Sequence, residues 1–430
     1  MIICIATDTL FPRTGGIASF NHHISLLLEK EGHTVILLAP GEATGHDAAD
    51  EITRVGNIIT VKLQATIQKH NRDWIQYFRP GGFDAPYWIA LGYAMREWLL
   101  QQTQFTIDVV EVSDYGGLGV FLTDKNLPPV VLTGHGSFKQ YARYNYTRDD
   151  DHARVITMLE DLSFAHAEKV IAHSPLDQQD LRQLFNREID IALIPFTEPD
   201  TIIPGEGNKI ITAGGLQPIK GIYQMAEALE LLRDKLPDFR LNWIGNDTFL
   251  APGQQKMSTY LSKKYPRVWQ QNLVWENEIP AHQTLEEIAA ASFVVIPSYF
   301  ETFNYTALEA ASLNKPILIT AGAGAVAHFK HGESAWIVPA NRPKALAEGI
   351  KYLNESPETR NTIAAGAKTM VTELFTAGKI IQPRIELYLD AVSQRKTPAP
   401  ELLQLLDKWH TGSRKTWYGF RNKIKKIMGR

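Results

Sequence analysis

One cysteine, Cys4, stands in a chain of 430 residues. A disulfide within the monomer is excluded, which suits a reducing compartment. No apolar run reaches the roughly 18 residues of a membrane-spanning helix. The opening MIICIATDTL has no basic flank and only a short apolar run, so a signal peptide is not expected. A cytoplasmic protein is expected. No G-x-G-x-x-G follows the first strand-like run, so a nicotinamide cofactor is not suggested. The His and Asp spacings form no convincing ligand cluster, and no metal is expected. Acids are missing from the end of the chain: positions 408 to 430 hold eight Lys and Arg and neither Asp nor Glu. With a net charge of −3 overall, those eight charges leave −11 on residues 1–407. An acidic body with a basic tail points to a polyanionic partner, either membrane phosphates or nucleic acid.

What is present is ordinary for a folded, water-exposed protein, with 44% apolar and 21% charged residues. The length implies two domains. IICIATD, FPRTGGIA and SFNHHISLLLEKEGH follow one another as strand, Gly-containing loop and helix. The apolar runs HTVILLAP, NIITVKL, IDVVEVS, PPVVLTGHG and KVIAHS come next, with helical stretches between them. Strands alternating with helices imply parallel sheets covered on both faces. The pattern restarts after a Pro- and Gly-rich segment. KIITAGG, FRLNWIGN, NLVWEN, FVVIPS, KPILIT and AWIVPA form a second series, with helices expected near 223–236 and 305–313. The expected architecture is α/β: two doubly wound Rossmann-like domains facing a cleft, followed by a C-terminal amphipathic tail. The expected boundaries are 1–195, a linker at 196–208, 209–376, a helix at 377–395 returning towards the first domain, and 396–430 as linker and tail. Ligands in such sheets bind at the carboxyl ends of the strands.

The stretch ETFNYTALE places Glu301 just before an expected helix and Glu309 within it. Free N–H groups at the helix start, near Phe303 to Thr306, can bind an anion. An acid beside them suits sugar hydroxyls, and a second acid further along suits a ribose diol. Alone, the pair also fits a loop charge and an ordinary helix acid. AGGLQPIKG, ending at Gly221, supplies glycines for close backbone approach and places Lys220 at a helix entrance, where it can meet a diphosphate. An ordinary helix-start lysine is the plainer reading. Gly16 lets backbone approach a ligand in the first domain, or simply makes a turn. Asp114, after IDVVEVS, either meets acceptor hydroxyls or starts a turn. The aromatic stretches DWIQYF and DAPYWIALGYAMREW fit core better than sugar stacking.

The ordered set GGI, TGHG, AHS, G-x-x-x-x-KG, IG, PSYFETF and E-x7-E resembles the retaining, nucleotide-sugar-dependent glycosyltransferases of family 4, with the GT-B fold. The resemblance covers about residues 1–395. It implies that Glu301 contacts donor-sugar hydroxyls, Glu309 the ribose and Lys220 the diphosphate. Backbone around Phe303, Asn304, Tyr305 and Thr306 would approach sugar and phosphates, with Gly16 against the phosphates or acceptor. His135 in TGHG would lie close to the transferred sugar, although a histidine closing a strand can be structural. Backbone near Glu278 and Ile279 would hold the base. Two positions depart from the family pattern: Gly215 stands where Arg is usual, and Asn304 where Gly is usual.

The resemblance implies transfer with retention from a nucleoside-diphosphate sugar; uridine is the default base and guanosine the next, and no cofactor is expected. The expected acceptor is a glycan, lipid-linked or protein hydroxyl, and the basic tail suggests bacterial surface polysaccharide or glycoconjugate synthesis. A sugar-nucleotide 2-epimerase and a non-catalytic sugar-binding protein of the same fold are the alternatives. In the tail, Trp417, Phe420, Ile424, Ile427 and Met428 recur at helical steps among basic residues. That pattern suits an anionic membrane surface, and a peripheral place on the inner face of the membrane, better than nucleic acid. A helix packed on the body is the plainer alternative.

Overall fold

The computed structural model describes residues 1–394 apart from 13–14, 42–48, 76–77, 79–83, 125, 148, 200–201 and 203–208. The expected tail at 396–430, and most of the expected linker, lie outside the described residues.

The first sheet contains β1 (Ile2–Ala6), β2 (Thr34–Pro40), β3 (Glu51–Val55), β4 (Ile58–Leu63), β5 (Val109–Ser113), β6 (Val130–Thr133), β7 (Lys169–Ala172) and β8 (Asp190–Ile191). Their spatial order is β3-β4-β2-β1-β5-β6-β7-β8. The second sheet contains β9 (Lys209–Ala213), β10 (Leu241–Ile244), β11 (Leu273–Glu276), β12 (Ala291–Ile296), β13 (Ile317–Thr320) and β14 (Trp336–Val338), in the order β11-β10-β9-β12-β13-β14. Chain direction across each sheet reverses at its middle, between β1 and β5 and between β9 and β12. Those are the switch points at which crossover loops part and leave a crevice.

Pairing is parallel throughout, with one exception. β3 runs antiparallel to β4, with Val55 opposite Ile58. The expectation of purely parallel sheets is corrected there. All five residues of EITRV are exposed, so the segment carries no buried apolar signal. The signal lay instead in Gly56-Asn57, a two-residue turn with Gly56 at φ +59°.

The central strands are buried on both faces, as parallel strands must be. Cys4 and Ala6 of β1 face one helical layer with Trp88, Leu91 and Leu132. Ile3 and Ile5, on the opposite face of the pleat, pack with Phe20, Ile24 and Val131. This second cluster continues into the other sheet through Ile211, Ile244, Ile296 and Ala307. It therefore fills the floor between the two units. The helix Ala377–Ser393 joins the same cluster through Ile380, Ile381, Tyr388 and Ala391. Its Arg384 donates to Glu111 of β5 at 2.8 Å, so this helix lies against the first sheet although it follows the second in sequence. Among the described residues, no helix is long and apolar enough to cross a membrane.

Candidate functional site

A cavity of about 580 Å³ opens between the two sheets, within the size range of small-molecule sites. Its walls are loops that leave the carboxyl ends of strands. From the first sheet come Gly15 and Gly16 after β1 and His135 and Gly136 after β6; from the second come Gly214, Gly215 and Gln217 after β9, Gly245 and Asn246 after β10, and Phe300 to Thr306 after β12. Of the residues singled out from sequence, Gly16, His135, Lys220, Ile279, Glu301, Phe303, Asn304, Tyr305, Thr306 and Glu309 all line this one cavity. Glu278 lines it too.

Glu301 is braced on several sides. Ser298 Oγ donates to Oε2 at 2.7 Å and Asn304 Nδ2 at 2.8 Å. Lys220 Nζ pairs with Oε1. A carboxylate has about four lone-pair sites and an ammonium three protons. Both groups therefore keep capacity towards the cavity while paired.

Asn304 explains itself locally. It is the N-cap of the helix Tyr305–Ser312, its Oδ1 accepting from Ala307 N at 2.8 Å. Its φ of 161° is extended backbone. One short amide thus caps the helix and orients Glu301. A glycine could do neither. With Ala307 N engaged by the cap, the N–H groups of Tyr305 and Thr306 at the cavity wall have no intrahelical acceptor.

Glu309 lies further along that helix, partly buried and without a side-chain hydrogen bond among the described residues. Burial pushes its carboxyl up to about 7. His135 is the counterpart on the opposite wall. Its ring makes no hydrogen bond within the described residues, and it forms a T-shaped pair with Phe20 with ring centroids 4.5 Å apart. Burial, with the charge of Arg384 second, holds the imidazole down at about 3. It is neutral at working pH.

Two sequence expectations need correction. Asp114 is fully buried and absent from the cavity wall. Its Oδ1 accepts the N–H of His135 at 2.8 Å, so it fixes the TGHG loop and does not meet an acceptor. Burial pushes its carboxyl up to about 7, against the lowering effect of those backbone N–H groups. Gly221 is also off the wall. Its φ is +82°, and a Cβ there would lie 1.6 Å from the carbonyl oxygen of Pro297. It is a turn and packing glycine.

Gly215 does line the cavity. A Cβ at that position would lie 2.5 Å from Asn246 Oδ1 and 3.1 Å from Gln217 Nε2. Two neutral amides thus crowd the spot where a longer residue was expected. Sequence reasoning missed Asn246, Gln217 and Ser298. The first followed a Gly after a strand, the motif that had marked Gly215, so the signal was there to be used. The AHS motif is structural: Ser174 caps the helix Pro175–Phe185 and its Oγ donates to Thr302 O at 2.7 Å, joining the two halves beside the cavity. Among the described residues, no group of His, Cys, Asp and Glu is placed to hold a metal ion.

Comparison with known proteins fits this geometry. Residues 14–195 match the model described as Glycosyltransferase Family 4, and residues 194–370 that described as Glycosyl transferases group 1. A D-inositol 3-phosphate glycosyltransferase of Jonesia denitrificans is 28% identical over 38% of this chain and 38% of its own length. A glycogen synthase of Mycobacterium tuberculosis is 24% identical over 90% of this chain and 94% of its own. The Anabaena protein HepE, solved with UDP-glucose, shares the fold with a TM-score of 0.60, at 17% identity over 90% of this chain and 99% of that one. The two family models together cover residues 14–370, which hold the first sheet from β2 onward and the whole second sheet, and the chain belongs to the GT-B glycosyltransferases of the family 4 type.

Proposed function

We propose that this chain transfers a glycosyl group from a nucleoside-diphosphate sugar to an acceptor hydroxyl with retention of anomeric configuration. The observation that carries this reading is the convergence on one cavity of a braced Glu301–Lys220 pair, the helix-start N–H groups of Tyr305 and Thr306, and an unpartnered Glu309. Glu309 would accept from the two ribose hydroxyls, and Glu301 from hydroxyls of the donor sugar. Neutral His135 would donate to the sugar from the opposite wall.

The bond between the anomeric carbon and the diphosphate oxygen breaks, and the leaving group takes the electron pair. Positive charge develops on the sugar and negative charge on the diphosphate. Lys220 and the helix-start amides stabilise that anion, helped by the helix dipole. The acceptor oxygen bonds to the same carbon on the same face. Its proton passes to the departing phosphate oxygen, so no protein base is required. Glu301 is therefore cast as a hydroxyl ligand and not as a nucleophile. Walls drawn from both halves orient two substrates and exclude water that would hydrolyse the donor.

Uridine is the favoured base, supported by a structural relative solved with UDP-glucose, and guanosine is next. The acceptor class we favour is a surface polysaccharide or glycoconjugate precursor, made in the cytoplasm. The basic tail at 414–430 supports a peripheral membrane site for that reaction.

Thermal-shift measurements with UDP, GDP, ADP and CDP test the reading. A ligand at about 100 times its Kd stabilises by roughly 2.7 kcal/mol. One nucleotide should give a clear shift, weakened in Glu309→Ala. No shift with any of the four overturns the proposal and favours a binding protein that has lost its diphosphate site.

A further inference from the structure

Behind His135 lies a buried polar cluster that the transfer chemistry does not use. Glu111 on β5, 1% exposed, accepts from Arg384 Nη1 at 2.8 Å, from Thr133 Oγ1 at 2.6 Å and from the Tyr388 hydroxyl. Arg384 and Tyr388 are both 0% exposed and sit on the helix Ala377–Ser393, more than 270 positions away in sequence. Such a pair is costly to desolvate, and apolar side chains would often serve stability as well. Its presence asks for another reason.

The geometry supplies one. The Arg384 guanidinium lies over the face of Phe20, 5.2 Å from the ring centroid. The same ring packs against the His135 imidazole in a T-shaped pair with centroids 4.5 Å apart, and lies 5.3 Å from His173. Arg384 Nε and Nη2 find no acceptor among the described residues, and the aromatic face takes that place. We propose that Arg384 is a positioning residue for His135, acting through the Phe20 ring on which it lies and against which the imidazole packs.

Two effects follow. Phe20 is clamped between cation and imidazole, which fixes the ring orientation of His135 at the cavity wall. The fixed charge of Arg384 also opposes a second positive charge nearby, adding to burial in keeping His135 neutral. Around His135, the other titratable or charged groups are Asp114 under its backbone N–H, His173 beside its ring, Glu111 behind Arg384, and Lys220 and Glu301 on the same cavity wall system. His173 is itself held neutral by burial and Arg384, its Nδ1 donating to Ala192 O at 3.2 Å.

The inference rests on the assigned reaction only for its kinetic arm. The first test needs no turnover. The double variant Glu111→Gln, Arg384→Met removes both charges together, so no lone ion is left buried. With ¹⁵N-labelled histidine, the His135 ring signals are followed by pH titration and assigned against His135→Gln. Without Arg384, protonation of His135 should occur about one pH unit higher. In turnover assays kcat should fall about tenfold while the donor KM stays within about twofold, the mark of an interaction that matters in the transition state. Arg384→Lys, which keeps the charge, should recover the His135 titration. A folded double variant whose His135 signals titrate as in the parent overturns the proposal. If that double variant does not fold, the milder pair Glu111→Gln, Arg384→Gln decides: His135 must protonate at higher pH than in the parent, and an unmoved titration overturns the proposal equally. A parent protein inactive with every donor would defeat the functional reading while leaving the titration result to stand by itself.

Discussion

Glu309 makes a measurable trade between stability and binding. Its carboxyl has a usual value of 4.5 and is pushed up to about 7 by burial in the folded protein. The folded state therefore holds the proton more tightly than the unfolded state. Between about pH 4.5 and 7 the folded chain binds more protons, so stability falls as pH rises through this window. By pH 8 the lost stability is on the order of 3 kcal/mol. Glu309→Gln removes the ionisation while keeping the shape. The variant should be more stable than the parent at pH 8 by an amount of that order, and no more stable at pH 4.5.

Nucleotide binding should show the opposite trend. A ribose diol favours the ionised carboxylate, because charge-assisted hydrogen bonds are roughly twice as strong as neutral ones. Affinity of the parent should rise about tenfold as pH goes from 6 to 8, and the affinity of Glu309→Gln should stay flat. Chemical denaturation at both pH values, with and without nucleotide, measures both trends in one set of samples. A parent and variant of equal stability at pH 8 would show that Glu309 is ordinarily hydrated and would refute the reasoning. So would a nucleotide affinity that follows the same pH dependence in both proteins.

Other substitutions separate chemistry from architecture. Lys220→Met should lower kcat by about 10²- to 10³-fold, as loss of one electrostatic stabiliser of a leaving group does, with secondary structure by circular dichroism unchanged. Asn304→Ala should cost about 1 kcal/mol through the lost cap, read by denaturant midpoint, and should also lower kcat because Glu301 loses a brace. Gly221→Ala forces a methyl group against the Pro297 carbonyl at a positive φ, and should lower stability by at least about 2 kcal/mol, visible as a fallen Tm.

The two-sheet architecture was legible because strand runs such as IICIA and FVVI are continuous and apolar, which only doubly covered strands can be. The hairpin strand Glu51–Val55 was not legible by that criterion, since every residue in it faces water. In the site, ETFNYTALE carried most of the information, because strand end, cap and helix start follow one another without a gap. Asp114 misled because an acid at a strand end can turn either way, and only its acceptance of the His135 N–H decides it. Arg384 was out of reach for a different reason. Its partner Glu111 lies on the first sheet, and no local pattern in IIQPRIELYL tells a buried arginine from a solvated one.

The charge arrangement of the cavity ties these points together. Lys220 is the one Lys or Arg on its described wall, and it is already shared with Glu301. For a diphosphate bound as proposed, the other donors on the described wall are neutral. Those are at hand. Tyr305 and Thr306 offer N–H groups at a helix start, equivalent to about half an elementary charge when its dipole is included. Around Gly215, Asn246 and Gln217 offer amides on the opposite side of the loop. Hydrogen bonds from fixed neutral donors are less sensitive to salt than an ion pair between exposed groups. Asn304 then acquires a second importance, because it holds the helix start that the neutral arrangement depends on.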